Sequence, residues 1–216
     1  MRHYSIAENP RQIRVLFPLF MDEMPQYDYV LSHRLNRTSS QEQYAFIYRK
    51  AFRLLDYYVI GDPYNLFERE PFFVTFMVDS YIFDIAQTHI KPENAEKGVA
   101  AFLKVKTSTK QIWLGDFNAD CGYYDKFLSE RFDWIIKDKE DTTVDDTDCT
   151  YDRIVVTYPI TDRIRGIWVN TLDEYNYSFQ LKISDHFPVS IKLEIPSVNC
   201  NHVTFGKYMG NFSALL

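Results

Sequence analysis

The stretch WLGDFNADC, Trp113 to Cys121, sets two acids, an amide and a thiol directly behind an apolar run. Residues 111 to 115 read as a buried strand that ends where the polar groups begin. In an extended chain, residues two apart share a face. Asp116 and Asn118 are therefore expected to project together while Phe117 points into the core. A carboxylate beside an amide carbonyl is hard oxygen ligation, suited to Mg²⁺ or Ca²⁺. A polar turn is the competing reading, and the sequence on either side has to decide.

Moving outward, residues 81 to 88 (YIFDIAQT) and 71 to 79 (PFFVTFMVD) read as two strands joined at Asp79-Ser80. His89 closes the first of these. Between His89 and the opening motif, Pro92 starts a helix whose stripe is Ala95, Val99, Phe102 and Leu103. Residues 10 to 24 read as an amphipathic helix that Pro18 should kink. Tyr27 to Ser32 and 42 to 49 are strand candidates, the latter beginning at Glu42. Residues 126 to 136 read as helical and DKEDTTVDDTD as a solvated acidic loop. Strands follow at 151 to 157, 164 to 169 and 187 to 194, and the last 20 or so residues read as a loose tail. Strands outnumber helices and several are neighbours in sequence. That pattern predicts an α+β (α/β) sandwich of two packed, mostly antiparallel sheets flanked by helices, rather than a doubly wound parallel sheet.

The polar residues of interest all stand at strand ends. Asp185-His186 precedes one apolar strand, Asp152 precedes another, and Asp116, His89 and Glu42 bound three more. Each alone is an ordinary turn or surface residue, but together they lie where loops build active sites.

The totals narrow the chemistry. The chain of 216 residues fits one domain, and its 17 Phe and 16 Tyr suit broad packed sheets. A formal charge of -6 excludes binding to nucleic acid by overall charge, so any such contact needs a local basic patch. No run approaches the roughly 18 apolar residues of a membrane helix. The N-terminus has no apolar centre of the kind a signal peptide carries. Asn-x-Ser/Thr triplets at Asn36, Asn176 and Asn211 are weak signals for glycosylation.

Together, LGDFNADC, CTYDRIVV and ISDHFPVSIKL resemble the motifs of deoxyribonuclease I, within the endonuclease/exonuclease/phosphatase superfamily. QEQYAFIYR, FEREPFFVTF and the His89 region fit in order, and the resemblance runs from about Tyr27 to Ile195. It implies a divalent-metal endonuclease that cuts double-stranded DNA with little sequence preference and leaves 5′ phosphates. His89 then matches one catalytic histidine, oriented by Glu42, and His186 the second, oriented by Asp152. Asp116, Asn118 and Asp185 match metal- and phosphate-site residues for Mg²⁺ and Ca²⁺. Arg69 matches an arginine that contacts DNA phosphate, and Arg37 lies in the loop that approaches the minor groove. Cys121 and Cys149 match a structural disulfide, worth about 3 to 4 kcal/mol in the chain-entropy model. Such a bridge implies an oxidising compartment, hence a secreted protein, expected to be a monomer without membrane contact. Actin is a further partner implied by the family, through the region that Tyr29 to Leu31 matches.

The resemblance also carries departures. The family begins with a strand bearing an active-site Asn and another ending in Gln-Glu, and residue 1 starts after both. A chain incomplete at its N-terminus is expected, with residues 1–196 as the nuclease domain and 197–216 as a tail. Glu8 is a candidate for the metal acid, or else a helix-start carboxylate favoured by the helix dipole. Ser40 stands where a tyrosine stacks on a sugar, which predicts weaker DNA affinity.

Overall fold

The computed structural model describes residues 18, 21–35, 42–105, 109–124, 132–195 and 203–206. Eleven strands are found among them: β1 (Tyr27–Leu31), β2 (Ala45–Arg49), β3 (Arg53–Val59), β4 (Phe72–Val78), β5 (Tyr81–His89), β6 (Gln111–Asp116), β7 (Phe132–Trp134), β8 (Asp152–Thr157), β9 (Ile164–Val169), β10 (Val189–Leu193) and β11 (Val203–Gly206). They are accompanied by the α-helices α1 (Ala95–Phe102), α2 (Tyr158–Thr161) and α3 (Tyr177–Ile183), with a 3-10 turn over Pro92–Asn94 leading into α1.

One layer is a six-stranded sheet in the order β3-β4-β5-β6-β8-β7. Only the β5–β6 pair is parallel, because α1 carries the chain across between them. The second layer consists of the pair β1–β2 and the ladder β11-β10-β9. Both parts face the six-stranded sheet through one core, in which Val30, Phe46, Tyr48, Val189 and Ile191 meet Phe72, Phe76, Ile85, Ile112, Leu114 and Ile154. This is the two-sheet sandwich expected from the strand count.

The alternation of strands explains why the central ones read as unbroken apolar runs. Ile112 and Leu114 face the second sheet, while Trp113 between them faces α1 together with Val99, Phe102 and Phe117. Both faces of β6 and β8 are buried throughout. Burying each large apolar side chain there contributes about 1.5–3 kcal/mol. That rigid centre is what fixes the positions of β5, β6 and β8 at their ends.

The structure differs from the sequence expectations in five places. Residues 132–134, expected as helix, form β7, with Phe132 and Trp134 buried and Asp133 less so, a two-residue period. β3 was not expected, because an edge strand with mostly exposed side chains shows no alternation. α3 was not expected either; the Asn176 side chain caps it by accepting the Phe179 N–H at 3.1 Å. The segment 203–206, expected as loose tail, pairs antiparallel with β10. The acidic loop is not simply solvated, since Thr142, Thr143 and Val144 are buried within it. Of the expected N-terminal helix, Pro18, Met21 and Asp22 are helical, and most of its remainder lies outside the described residues.

Candidate active site

Register alone gathers the first part of the site. His89, the last residue of β5, is level with Asp116, the last of β6. Asp116 is level with Asp152, the first of β8. Three adjacent strands therefore deliver an imidazole and two carboxylates to one edge of the sheet. Glu42 comes from the other layer, with its backbone held by a reciprocal pair of hydrogen bonds to Leu35 at 2.8 and 2.9 Å. His186 comes from the loop before β10 and bridges to Thr143.

These residues form two carboxylate–imidazole pairs. Glu42 Oε2 lies 2.7 Å from His89 Nδ1, and Asp152 Oδ2 lies 2.5 Å from His186 Nδ1. An ionised carboxylate only accepts, so each Nδ1 carries the hydrogen and each Nε2 is left to take or give another. The two Nε2 atoms converge on one oxygen: Asp116 Oδ2 is 3.6 Å from that of His89 and 3.8 Å from that of His186. Asp152 is completely buried and cannot rotate away, whereas the His89 side chain is 30% exposed. Fixed carboxylates behind, imidazole nitrogens in front: that arrangement can move two protons at one place.

The loop after β6 is shaped by backbone constraints. Gly115 has φ 143°, and a Cβ there would lie 1.8 Å from the Thr88 carbonyl oxygen of the neighbouring strand. Only glycine allows β5 and β6 to approach so closely. Strand geometry stops at Asp116, and Asn118 takes a left-handed φ of 47°. The expected alternation therefore does not orient Asn118; hydrogen bonds do. Its backbone N–H donates to Asp116 Oδ1 at 2.9 Å, and its Nδ2 donates to the Ile90 carbonyl at 2.8 Å. Phe117 is buried against α1 as expected.

Several positioning residues were not read from the sequence. The buried Thr142 hydroxyl accepts from the backbone N–H groups of Tyr151 and Asp152 at 2.9 and 3.1 Å. The Phe187 N–H donates to the Thr142 carbonyl, so one threonine ties the Asp152 and His186 segments together. The Tyr44 hydroxyl accepts the His89 N–H at 2.9 Å, and burial raises its phenol well above the ordinary value, keeping it neutral. Arg153, fully buried, donates to the carbonyls of Ile136 and Ala119 and pairs with Asp138. All three act through backbone groups or burial, which leave no local pattern.

Cys121 and Cys149 are bonded, with Cα atoms 5.8 Å apart, and join the loop after β6 to the segment before β8. Replacing both by serine is expected to lower stability by about 3–4 kcal/mol. A denaturant melt with an unshifted midpoint would contradict that.

Arg69 does not stand open to solvent. It is 6% exposed, and its Nη2 lies 2.7 Å from Glu42 Oε1. Asp185 is exposed beside His186, and its carbonyl accepts the Val144 N–H. Glu8, Arg37 and Ser40 lie outside the described residues. Among the described residues no three His, Cys, Asp or Glu side chains form a ready metal cluster. The oxygen donors of Asp116 and Asn118 nonetheless suit a hard cation, since the Asn118 nitrogen is already engaged and its carbonyl is the available ligand.

Comparison with known proteins bears on this geometry. Deoxyribonuclease-1 of Gallus gallus is 32% identical over 200 residues, covering 78% of this chain and 70% of that protein. The chain belongs to the deoxyribonuclease I family. Deoxyribonuclease-1-like 2 of Mus musculus is 35% identical over 191 residues, covering 77% and 69%. Deoxyribonuclease gamma of Rattus norvegicus is 36% identical over 199 residues, and there the chain spans 64% of the relative's length. No family model matches the chain. Among solved structures, an endonuclease/exonuclease/phosphatase family protein from Leptotrichia buccalis superposes with a TM-score of 0.58 at 18% identity, covering 84% of this chain and 77% of that one. Danio rerio TDP2 complexed with a single-strand DNA product gives 0.56 at 14% identity, covering 80% and 79%. At such low identities these superpositions speak for the fold alone, the two-sheet sandwich found here.

Proposed function

We propose that this chain is a divalent-metal-dependent endonuclease hydrolysing phosphodiester bonds of double-stranded DNA with low sequence specificity. The observation that carries the reading is the convergence of two carboxylate-backed imidazoles on Asp116 Oδ2. One imidazole, with Nδ1 held by its carboxylate, takes the proton of the attacking water at Nε2. The other gives its Nε2 proton to the leaving 3′ oxygen, so the 5′ end keeps the phosphate. Glu42 and Asp152 orient the rings and stabilise whichever is charged.

Asp116, Asn118 and Asp185 would hold Mg²⁺ or Ca²⁺, with Glu8 as a further carboxylate ligand. A divalent ion there supplies charge neutralisation at the phosphoryl oxygens. Arg37 serves the DNA backbone, where contacts set position more than sequence. The reading makes residues 1–196 the nuclease domain. The Cys121–Cys149 bridge fits an oxidising compartment, and with it secretion and use of the sequons. No helix among the described residues is long and apolar enough to cross a membrane.

A plasmid assay tests the activity. Supercoiled DNA incubated with the full chain, Mg²⁺ and Ca²⁺ is expected to become open circular, and EDTA to stop the conversion. Conversion that persists in EDTA contradicts the metal requirement.

A further inference from the structure

The structure assigns Arg69 a positioning role: it orients His89 by holding the far side of Glu42. The inference rests on the reading of His89 as a catalytic group, and it differs from a role for Arg69 on DNA. Glu42 divides its carboxylate, giving Oε1 to Arg69 and Oε2 to His89, each at 2.7 Å. A carboxylate held at both oxygens cannot rotate about its terminal bond, so the Nδ1 acceptor stays in place. Its backbone is pinned to Leu35 as well.

Burial supports the same conclusion. Arg69 is 6% exposed, and its Nε and Nη1 have no hydrogen-bond partner among the described residues. Among the described residues the ion-pair partner of its head group is the carboxylate behind His89. His186 provides an internal comparison, because its partner Asp152 is fixed by complete burial in β8. Glu42 is not in a strand of the central sheet and is only partly buried, so a cation does the fixing instead.

The test is ¹⁵N-edited NMR of the imidazole rings in the full chain, wild type against Arg69→Met. In the wild type, His89 and His186 are each expected to show a protected Nδ1–H. In Arg69→Met the His89 signal is lost and the His186 signal stays; an unchanged His89 signal overturns the assignment. Kinetics provide the second readout. kcat is expected to fall about 10- to 100-fold, the size of loss known for outer partners that orient metal-bound histidines, with KM for DNA and its salt dependence unchanged. A raised KM with a salt slope smaller by about one places Arg69 on a DNA phosphate and overturns the role. Should Arg69→Met fail to fold, Arg69→Gln, which keeps a polar head but loses the charge and the reach to Glu42, carries the same two readouts. A wild-type chain that cleaves no DNA overturns the nuclease reading, while the NMR signal still decides whether Arg69 holds His89.

Discussion

Replacing His186 or His89 by alanine is expected to reduce the rate of plasmid nicking by about 10²- to 10⁴-fold, the usual contribution of a positioned acid or base. Each ring has its own carboxylate, Asp152 for His186 and Glu42 for His89. Both Nε2 atoms lie beside the same oxygen of Asp116, so neither ring can replace the other without moving off its partner. The double variant should therefore be scarcely slower than the worse single one, as for residues that act as a unit. Near-wild-type rates in both single variants would sink the two-histidine mechanism. Circular dichroism of the same samples separates lost chemistry from lost folding, since both rings are partly exposed and their removal opens no core cavity.

The second large effect is expected at Gly115. Gly115→Ala puts a methyl 1.8 Å from the Thr88 carbonyl oxygen, and the contact is with backbone, which no rotamer change can relieve. The φ of 143° adds strain for any L side chain. β5 and β6 must then separate at the level of His89 and Asp116, the two residues their register brings together. A loss of several kcal/mol, or no folded protein, is the expected result, because over-packing alone costs about 1–3 kcal/mol and a strained φ about 1–3 more. Thermal melting checks it. A variant with wild-type melting and wild-type nicking contradicts the close approach of the two strands.

Much of this was legible in the sequence because strand ends have a signature. The apolar runs of β5, β6, β8 and β10 stop at His89, Asp116, Asp152 and His186, so the chain itself marks the sheet edge where they gather. The pairing of each histidine with its acid came from family resemblance, and the distances agree with it. What stayed hidden depends on neighbours distant in sequence. Thr142 looks like any loop threonine until its hydroxyl is seen to accept the backbone N–H groups of Tyr151 and Asp152 at the start of β8. Arg69 reads as a cation, but the sequence does not say whether it faces DNA or Glu42. Asn118 was placed by strand alternation, whereas a left-handed turn and the Ile90 carbonyl orient it. β3 was missed because Tyr57 and Tyr58 are both largely exposed on an edge strand, where no face is reserved for the core.

The measurement that bears most directly on the central claim is the chemistry of the DNA ends. Plasmid nicked by the full chain with Mg²⁺ and Ca²⁺ is treated with DNA ligase, without kinase or phosphatase. Water attack with departure of the 3′ oxygen predicts a 5′ phosphate beside a 3′ hydroxyl, so the nicks should reseal. Plasmid that remains supercoiled throughout, or nicks that ligase cannot close, would contradict the account.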